Sequence, residues 1–176
     1  MCTLLEELVI ERQCNDHLCW AAVASGISAF YKDKPPLKQC QIAHNQILAT
    51  QVTAPNCCPK FEGDKCNKDC DHNADLEDVL TLIEHLESPS VAGPPSKNDL
   101  KIVMAKIRTN PVCVRIEFEK QIGHFVAIKG FCDEDPDNIH IVICDPAGTT
   151  TTNLPLEAFI TAYLDTGTWS RTFFTK

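Results

Sequence analysis

No apolar run in this 176-residue chain approaches the roughly 20 residues of a membrane-spanning helix, so membrane insertion is not expected. Positive charge is also short: 16 Lys and Arg stand against 24 Asp and Glu, a formal net charge of −8. That balance argues against nucleic acid and anionic membrane surfaces as partners. A secretory signal opens with basic residues, whereas this chain opens with Met1-Cys2-Thr3-Leu4-Leu5-Glu6-Glu7. Internal repeats and low-complexity tracts are missing too. Cysteine, by contrast, is plentiful. Eleven cysteines point to an oxidising compartment or a metal. The length suits a single domain, 1–176, able to bury a core without staples.

The stretch Gln13-Cys14-Asn15-Asp16-His17-Leu18-Cys19-Trp20 runs directly into Ala21-Ala22-Val23-Ala24-Ser25. Asn15 and Asp16 are both N-cap types. From there Trp20, Val23, Ala24, Ile27, Phe30 and Tyr31 fall at the spacing of a buried helix stripe. With Asp16 as the cap, Cys19 stands in the first turn. There the unpaired backbone N–H groups and the positive end of the helix dipole favour a thiolate. A cysteine beside an apolar helix is usually only a small buried hydrophobe. Gln13 and Trp20 argue for more. A side-chain amide six positions before the thiol can return beside the Cys19 N–H and complete an oxyanion hole. Cys14 lies upstream of the expected cap with no tryptophan after it, and is the weaker nucleophile candidate.

Further along, the pattern predicts helices at 38–50 and 75–87, and a shorter one from Asn98 or Asp99 to Ile107. A Cys-rich insertion occupies about 53–73, and Ser88 to Pro95 reads as a loop. After Pro111 the period changes: Val112, Val114, Ile116 and Phe118 alternate with Cys113, Arg115 and Glu117, as in a strand. Strands at 124–131, 139–145 and 168–175, with a helix at 154–164, complete the chain. Helices first and strands second predict an α+β fold, a helical half at about 13–108 packed on an antiparallel sheet half at about 111–176.

A base for the thiol follows from strand register. If residue 132 faces 139 across a hairpin, one face carries His124, Val126, Ile128, Ile139, Ile141, Ile143 and Asp145. That is an apolar core face ending in a histidine and a carboxylate as diagonal neighbours. A slip of one residue would separate the two and spoil the apolar match. Singly, each has an ordinary reading, His124 as a polar strand end and Asp145 as a turn opener before Pro146. His44, His72, His85 and His140 have no carboxylate placed by pattern.

The set Gln13, Cys19-Trp20-Ala21-Ala22, Gly123-His124-Phe125-Val126 and Asp145-Pro146-Ala147 resembles the papain-like cysteine peptidases. The likeness is to their compact bacterial branch, related to plant-pathogen avirulence effector proteases and bacteriocin-leader peptidases, and it spans roughly residues 13–175. It implies a papain-like fold with the active-site cleft between the two halves. It also implies a cysteine-type endopeptidase: Cys19 as nucleophile, His124 as base and then acid, Asp145 orienting the imidazole, and Gln13 with the Cys19 N–H holding the oxyanion. Asp145 stands where papain has Asn. His17, Trp20 and Gly123 are candidate cleft residues.

The implied partner is a protein or peptide substrate, with a protein activator or inhibitor as a further expectation; no cofactor is implied, and a monomer is expected. Twelve residues precede Gln13, so no propeptide is expected. A secreted or host-delivered bacterial protein is favoured over a resident cytoplasmic one. Two other classes stay open: an acyl transferase or protein deamidase of the same fold (transglutaminase-like), and a catalytically silent, Cys-stapled binding module.

The insertion Cys57-Cys58-Pro59 to Cys66-Asn67-Lys68-Asp69-Cys70-Asp71-His72 admits three readings. Cys57, Cys58, Cys66, Cys70 and His72 are soft ligands for a structural zinc. The same cysteines with Cys40 are candidates for disulfides, which the family likeness favours, and free thiols are the third possibility. Cys113, Cys132 and Cys144 lie in or at the ends of strands and are expected as buried thiols.

Overall fold

A computed structural model describes residues 2–58, 65–119, 122–135, 138–148 and 151–176. The centre of the expected insertion, 59–64, and part of the turn before 139 lie outside the described residues. Among the described residues five α-helices, one 3-10 turn (Lys68–Cys70) and seven strands form one α+β arrangement: β1 (Cys2–Leu4), α1 (Cys19–Phe30), α2 (Gln39–Thr50), α3 (Leu76–Leu82), β2 (Val91–Ala92), α4 (Lys97–Ile107), β3 (Val112–Glu117), β4 (Gly123–Cys132), β5 (His140–Cys144), β6 (Thr151–Pro155), α5 (Leu156–Thr161) and β7 (Thr168–Phe174). The antiparallel sheet runs β2-β7-β3-β4-β5-β6, and β1 pairs with the far end of β4.

Several boundaries differ from the sequence expectation, each for a local reason. The residue capping α1 is the fully buried Leu18, not Asp16, and no side chain caps the helix. Helix α3 stops at Leu82 rather than near 87. Glu84 takes a left-handed backbone (φ 62°), which turns Leu86 into a bridge with Thr175, just past the last strand. Ser96, not Asn98 or Asp99, caps α4: its hydroxyl accepts from the Asp99 N–H while Asp99 accepts from the Ser96 N–H. The strands β2 and β6 fall where a loop and the start of a helix were expected.

The β4–β5 register explains how the site end of the sheet is built. Ile128 faces Ile143 and Ala127 faces Cys144, the pairing that the apolar pattern predicts. Beyond Lys129 the register shifts by one, so that Phe131 faces Ile141 and Cys132 faces His140. The extra residue is a β-bulge. It places Phe131 in the same core cluster as Val126, Ile128, Ile141 and Ile143. The Leu5 N–H donates to the carbonyl of Lys129, the bulged residue, at 2.8 Å, which draws the lead-in segment onto the sheet.

The sheet is covered on both faces, and this changes the expected packing. The face predicted to carry the core (Val126, Ile128, Ile143) packs with Val103 and Ile107 of α4 and Phe159 of α5. Helix α1 lies on the opposite face, with Phe125 and Ala127 of β4, Cys113 of β3 and Phe173 of β7. A strand buried on both faces shows no clean alternation, which is why period-2 reasoning saw only one side. Helix α1 is correspondingly buried nearly all round, from Cys19 through Ala24 and again at Gly26, Ile27 and Ser28. A Cβ at Gly26 would meet the Val9 carbonyl oxygen at 2.6 Å, so glycine is what lets the lead-in segment lie against the helix.

Four disulfides staple the periphery: Cys2–Cys132, Cys14–Cys66, Cys40–Cys58 and Cys57–Cys70. They displace the zinc reading, because Cys57, Cys58, Cys66 and Cys70 have no thiolate left to offer. Among the described residues no cluster of three His, Cys, Asp or Glu side chains is arranged for a metal ion. Cys132, expected as a thiol, is bonded to Cys2, and the bond to Cys66 removes Cys14 as a nucleophile. Cys14–Cys66 spans 52 residues. Replacing both by Ser should cost about 2–4 kcal/mol by the chain-entropy argument, read as a lower denaturant midpoint with a similar slope. An unchanged midpoint would mean that the Asn15 side chain, which donates to the Cys66 and Asn67 carbonyls, holds the loop alone.

Candidate active site

Three elements that do not adjoin in sequence converge at one end of the sheet. Cys19 is the first residue of α1 and is 7% exposed. No side chain caps this helix, so its first N–H groups meet no competing acceptor from a cap. His124 is the second residue of β4, opposite Ile116 of β3. Asp145 follows β5 directly and is held by an Asx turn, the Ala147 N–H donating to its Oδ1 at 2.8 Å.

The His124 Nε2–H donates to Asp145 Oδ1 at 2.7 Å, and both side chains are largely shielded from solvent. The ring's other nitrogen, Nδ1, is thereby the one left for the thiol. Burial alone would push the imidazolium down. The Asp145 hydrogen bond, the interaction with the Cys19 thiol and the charges of both outweigh it, and the His124 pKa rises to about 9. For Asp145 burial works the other way, raising its pKa. Its bonds to His124, the Tyr163 hydroxyl and the Ala147 N–H hold the carboxyl below its usual range nonetheless. The remaining free thiols, Cys113 and Cys144, are pushed up by burial, which keeps them neutral.

Tyr163 is the residue that sequence reasoning missed. Its hydroxyl donates to Asp145 Oδ2 at 2.5 Å from a side chain that is 3% exposed. The available signal was weak: a tyrosine at the end of an expected helix, whose hydroxyl must find a partner once buried.

Gln13 behaves differently from expectation. Its side-chain nitrogen donates to the carbonyls of Asn15 (3.0 Å) and Asp16 (2.7 Å), while its Oε1 is buried with no partner among the described residues. The Gln13 backbone N–H donates to the Pro146 carbonyl at 2.8 Å, tying this loop to the turn that holds Asp145. The loop is also fastened on its other side. The His17 N–H donates to Asp71 Oδ1 at 2.8 Å and the Trp20 indole N–H to the His72 carbonyl at 3.0 Å.

Cys19, His124 and Asp145 line a cavity of about 780 Å³ together with His17, Trp20 and Gly123. Asp16, Asp75 and Arg115 give its walls charge, and Phe118, Ile122 and Leu164 give it an apolar rim. Of the other histidines, His44 bonds the Pro55 carbonyl and His140 faces Asn153. His85 does have a carboxylate, Asp33 at 2.9 Å, in a clip to the Lys176 carbonyl away from the cavity. The contact pairs residues that are 52 positions apart, beyond the reach of a local pattern.

A family model described as "Papain-like cysteine protease AvrRpt2" matches residues 6–164. No curated protein matches the chain.

The raised His124 pKa has a sign that can be checked. A histidine whose folded pKa lies above its unfolded value of about 6.5 contributes stability that is full below that value and lost as pH rises through about 9. The His124 ring should therefore titrate by NMR near pH 9, and Asp145→Asn should move the midpoint down. A wild-type midpoint well below 6.5, where burial alone would put it, would remove Asp145 and Cys19 as partners of the ring.

Proposed function

The chain belongs to the AvrRpt2 family of papain-like cysteine proteases, and from that premise we propose that it is a cysteine-type endopeptidase working through Cys19, His124 and Asp145. The observation that carries the assignment is a buried imidazole clamped to Asp145 at 2.7 Å and interacting with a helix-start thiol at an open cavity. In this reading the domain is papain-like, the cavity is the substrate cleft, and the wall bearing α1 faces the wall bearing β4 and the Asp145 turn.

The Cys19 thiolate attacks a peptide carbonyl and His124, as imidazolium, passes its proton from Nδ1 to the leaving amine. Neutral His124 then draws a proton from water, which attacks the acyl-enzyme and releases the new carboxyl terminus, regenerating the thiol. Asp145 takes no proton; it positions the ring with Nε2–H engaged and stabilises its charged form. The oxyanion is received by the Cys19 backbone N–H, whose helix start is uncapped. Gln13 is the second donor, and to serve it must release its two loop carbonyls and turn its amide toward the cleft. The substrate is an extended protein segment lying past His17, Trp20 and Gly123. Among the described residues no helix is long and apolar enough to cross a membrane.

A protein-substrate profile comparing wild type with variants tests this. Cys19→Ala should abolish cleavage, His124→Ala should lower kcat about 10⁴-fold or more, and Asp145→Ala and Gln13→Ala should cost about 10²–10³-fold. Full activity in His124→Ala would remove the proposed base. Labelled peptides run beside glutamine-containing proteins with added amines separate hydrolysis from acyl transfer or deamidation. A thiol-directed peptidyl inhibitor that labels wild type but not Cys19→Ala excludes the silent binding module.

A further inference from the structure

We propose that Tyr163 is a positioning residue of the catalytic centre, holding Asp145 from behind so that its other oxygen faces His124. The proposal rests on the peptidase reading above and deepens it. Asp145 divides its two oxygens: Oδ1 accepts from the His124 Nε2–H (2.7 Å) and the Ala147 N–H (2.8 Å), and Oδ2 accepts from the Tyr163 hydroxyl (2.5 Å). The carboxylate is about one-tenth exposed. A buried anion with one oxygen unpaired is costly, and such a group turns toward whatever donor or water it can reach. The hydroxyl removes that freedom. It fixes which oxygen meets the ring and keeps the carboxylate ionised without competing for the imidazole.

The segment around Tyr163 is shaped to hold that hydroxyl still. Tyr163 and Gly167 exchange two backbone hydrogen bonds, at 2.7 and 2.8 Å, across a tight turn. Leu164 and Asp165 take left-handed backbones in that turn (φ 48° and 76°). A Cβ at Gly167 would meet the Ile116 side chain at 2.6 Å and the Tyr163 carbonyl oxygen at 2.7 Å, so the turn closes only with glycine there. The Tyr163 ring packs edge-on against Phe159 of α5, with ring centroids 5.5 Å apart. Its neighbour Leu164 points the other way, 65% exposed on the rim of the cavity. One turn thus supports the carboxylate from beneath and presents an aliphatic side chain to the cleft.

Tyr163→Phe keeps the ring and deletes the donor. In that variant kcat should fall about tenfold with KM within about twofold, inside the hundredfold that a displacement of about 1 Å can cost. The His124 ring midpoint, read by NMR, should move below the wild-type value, a change that a purely structural tyrosine would not produce. In an Asp145→Ala background the same substitution should cost nothing further, because the hydroxyl acts only through that carboxylate. In the wild-type protein the Tyr163 hydroxyl proton should be a slowly exchanging, downfield resonance, which keeps the idea testable even if Tyr163→Phe does not fold. An unchanged or raised His124 midpoint, full multiplicative losses in the double variant, or a hydroxyl proton in fast exchange with water would each overturn the positioning role alone. A wild type with neither cleavage nor a raised midpoint would overturn the peptidase reading and this proposal together.

Discussion

The centre depends on one contact, the hydrogen bond from the His124 imidazole to the Asp145 carboxylate. Burial works against charge on both partners, yet each ends up more readily ionised than in water. Removing either partner would take from the other a charge-assisted bond that offsets its burial. The pair is therefore stable only where geometry is enforced from outside, and the surrounding structure supplies that enforcement at several points. The bulge at Lys129 brings the β4–β5 pairing into the register that delivers both residues to the same end. The Asx turn at Ala147 fixes the Asp145 rotamer, and the Gln13 backbone bond to Pro146 ties the nucleophile's loop to that turn.

Cysteine usage follows the same logic. Eight of the eleven cysteines are paired and three are free. Two of the free thiols are sealed in the sheet, where desolvation keeps them inert, and the third is Cys19. The cysteine nearest to it in sequence, Cys14, is committed to Cys66, so no thiol is left on the approach loop to capture Cys19 in a local disulfide. The staple also carries the loop: Asn15, His17 and Trp20 all bond backbone or side-chain acceptors in 66–72. A chain rich in cysteine can thus keep one reactive thiol only by giving its neighbours other partners.

Much of the centre was legible because its signals are local. Cys19-Trp20 opens an apolar helix, Gly123-His124 opens a strand, and Asp145-Pro146 ends one, so each announces its place by its immediate neighbours. The hairpin register could be argued from the apolar pattern because a slip exposes a whole face. What could not be read rests on contacts between distant residues. Nothing around Cys14 or Cys132 distinguishes a thiol from half of a disulfide, since their partners lie 52 and 130 positions away. Helix α1 begins after a buried Leu18 although two better capping residues precede it; one of them, Asn15, gives its side-chain amide to the Cys66 and Asn67 carbonyls instead. Tyr163 was invisible for the same reason: its hydroxyl earns a role only once β5 and the turn after α5 are adjacent.

The double-sided sheet adds a consequence for how the site behaves as a unit. Cys19 belongs to the core cluster beneath α1–α3, whereas Tyr163 belongs to the cluster beneath α4 and α5. His124, at the start of β4, and Asp145, just past the end of β5, stand between them. The Cys19 thiol and the Tyr163 hydroxyl that bonds Asp145 are thus anchored in two different cores of one sheet. Close-packed interiors transmit displacement instead of absorbing it, and Phe159 packs on the Tyr163 ring, whose hydroxyl bonds Asp145. A repacking at Phe125 or Ala127 reaches the thiol through α1. The cavity sits at the strand ends, lined by Cys19 on one side and by His124 and Asp145 on the other.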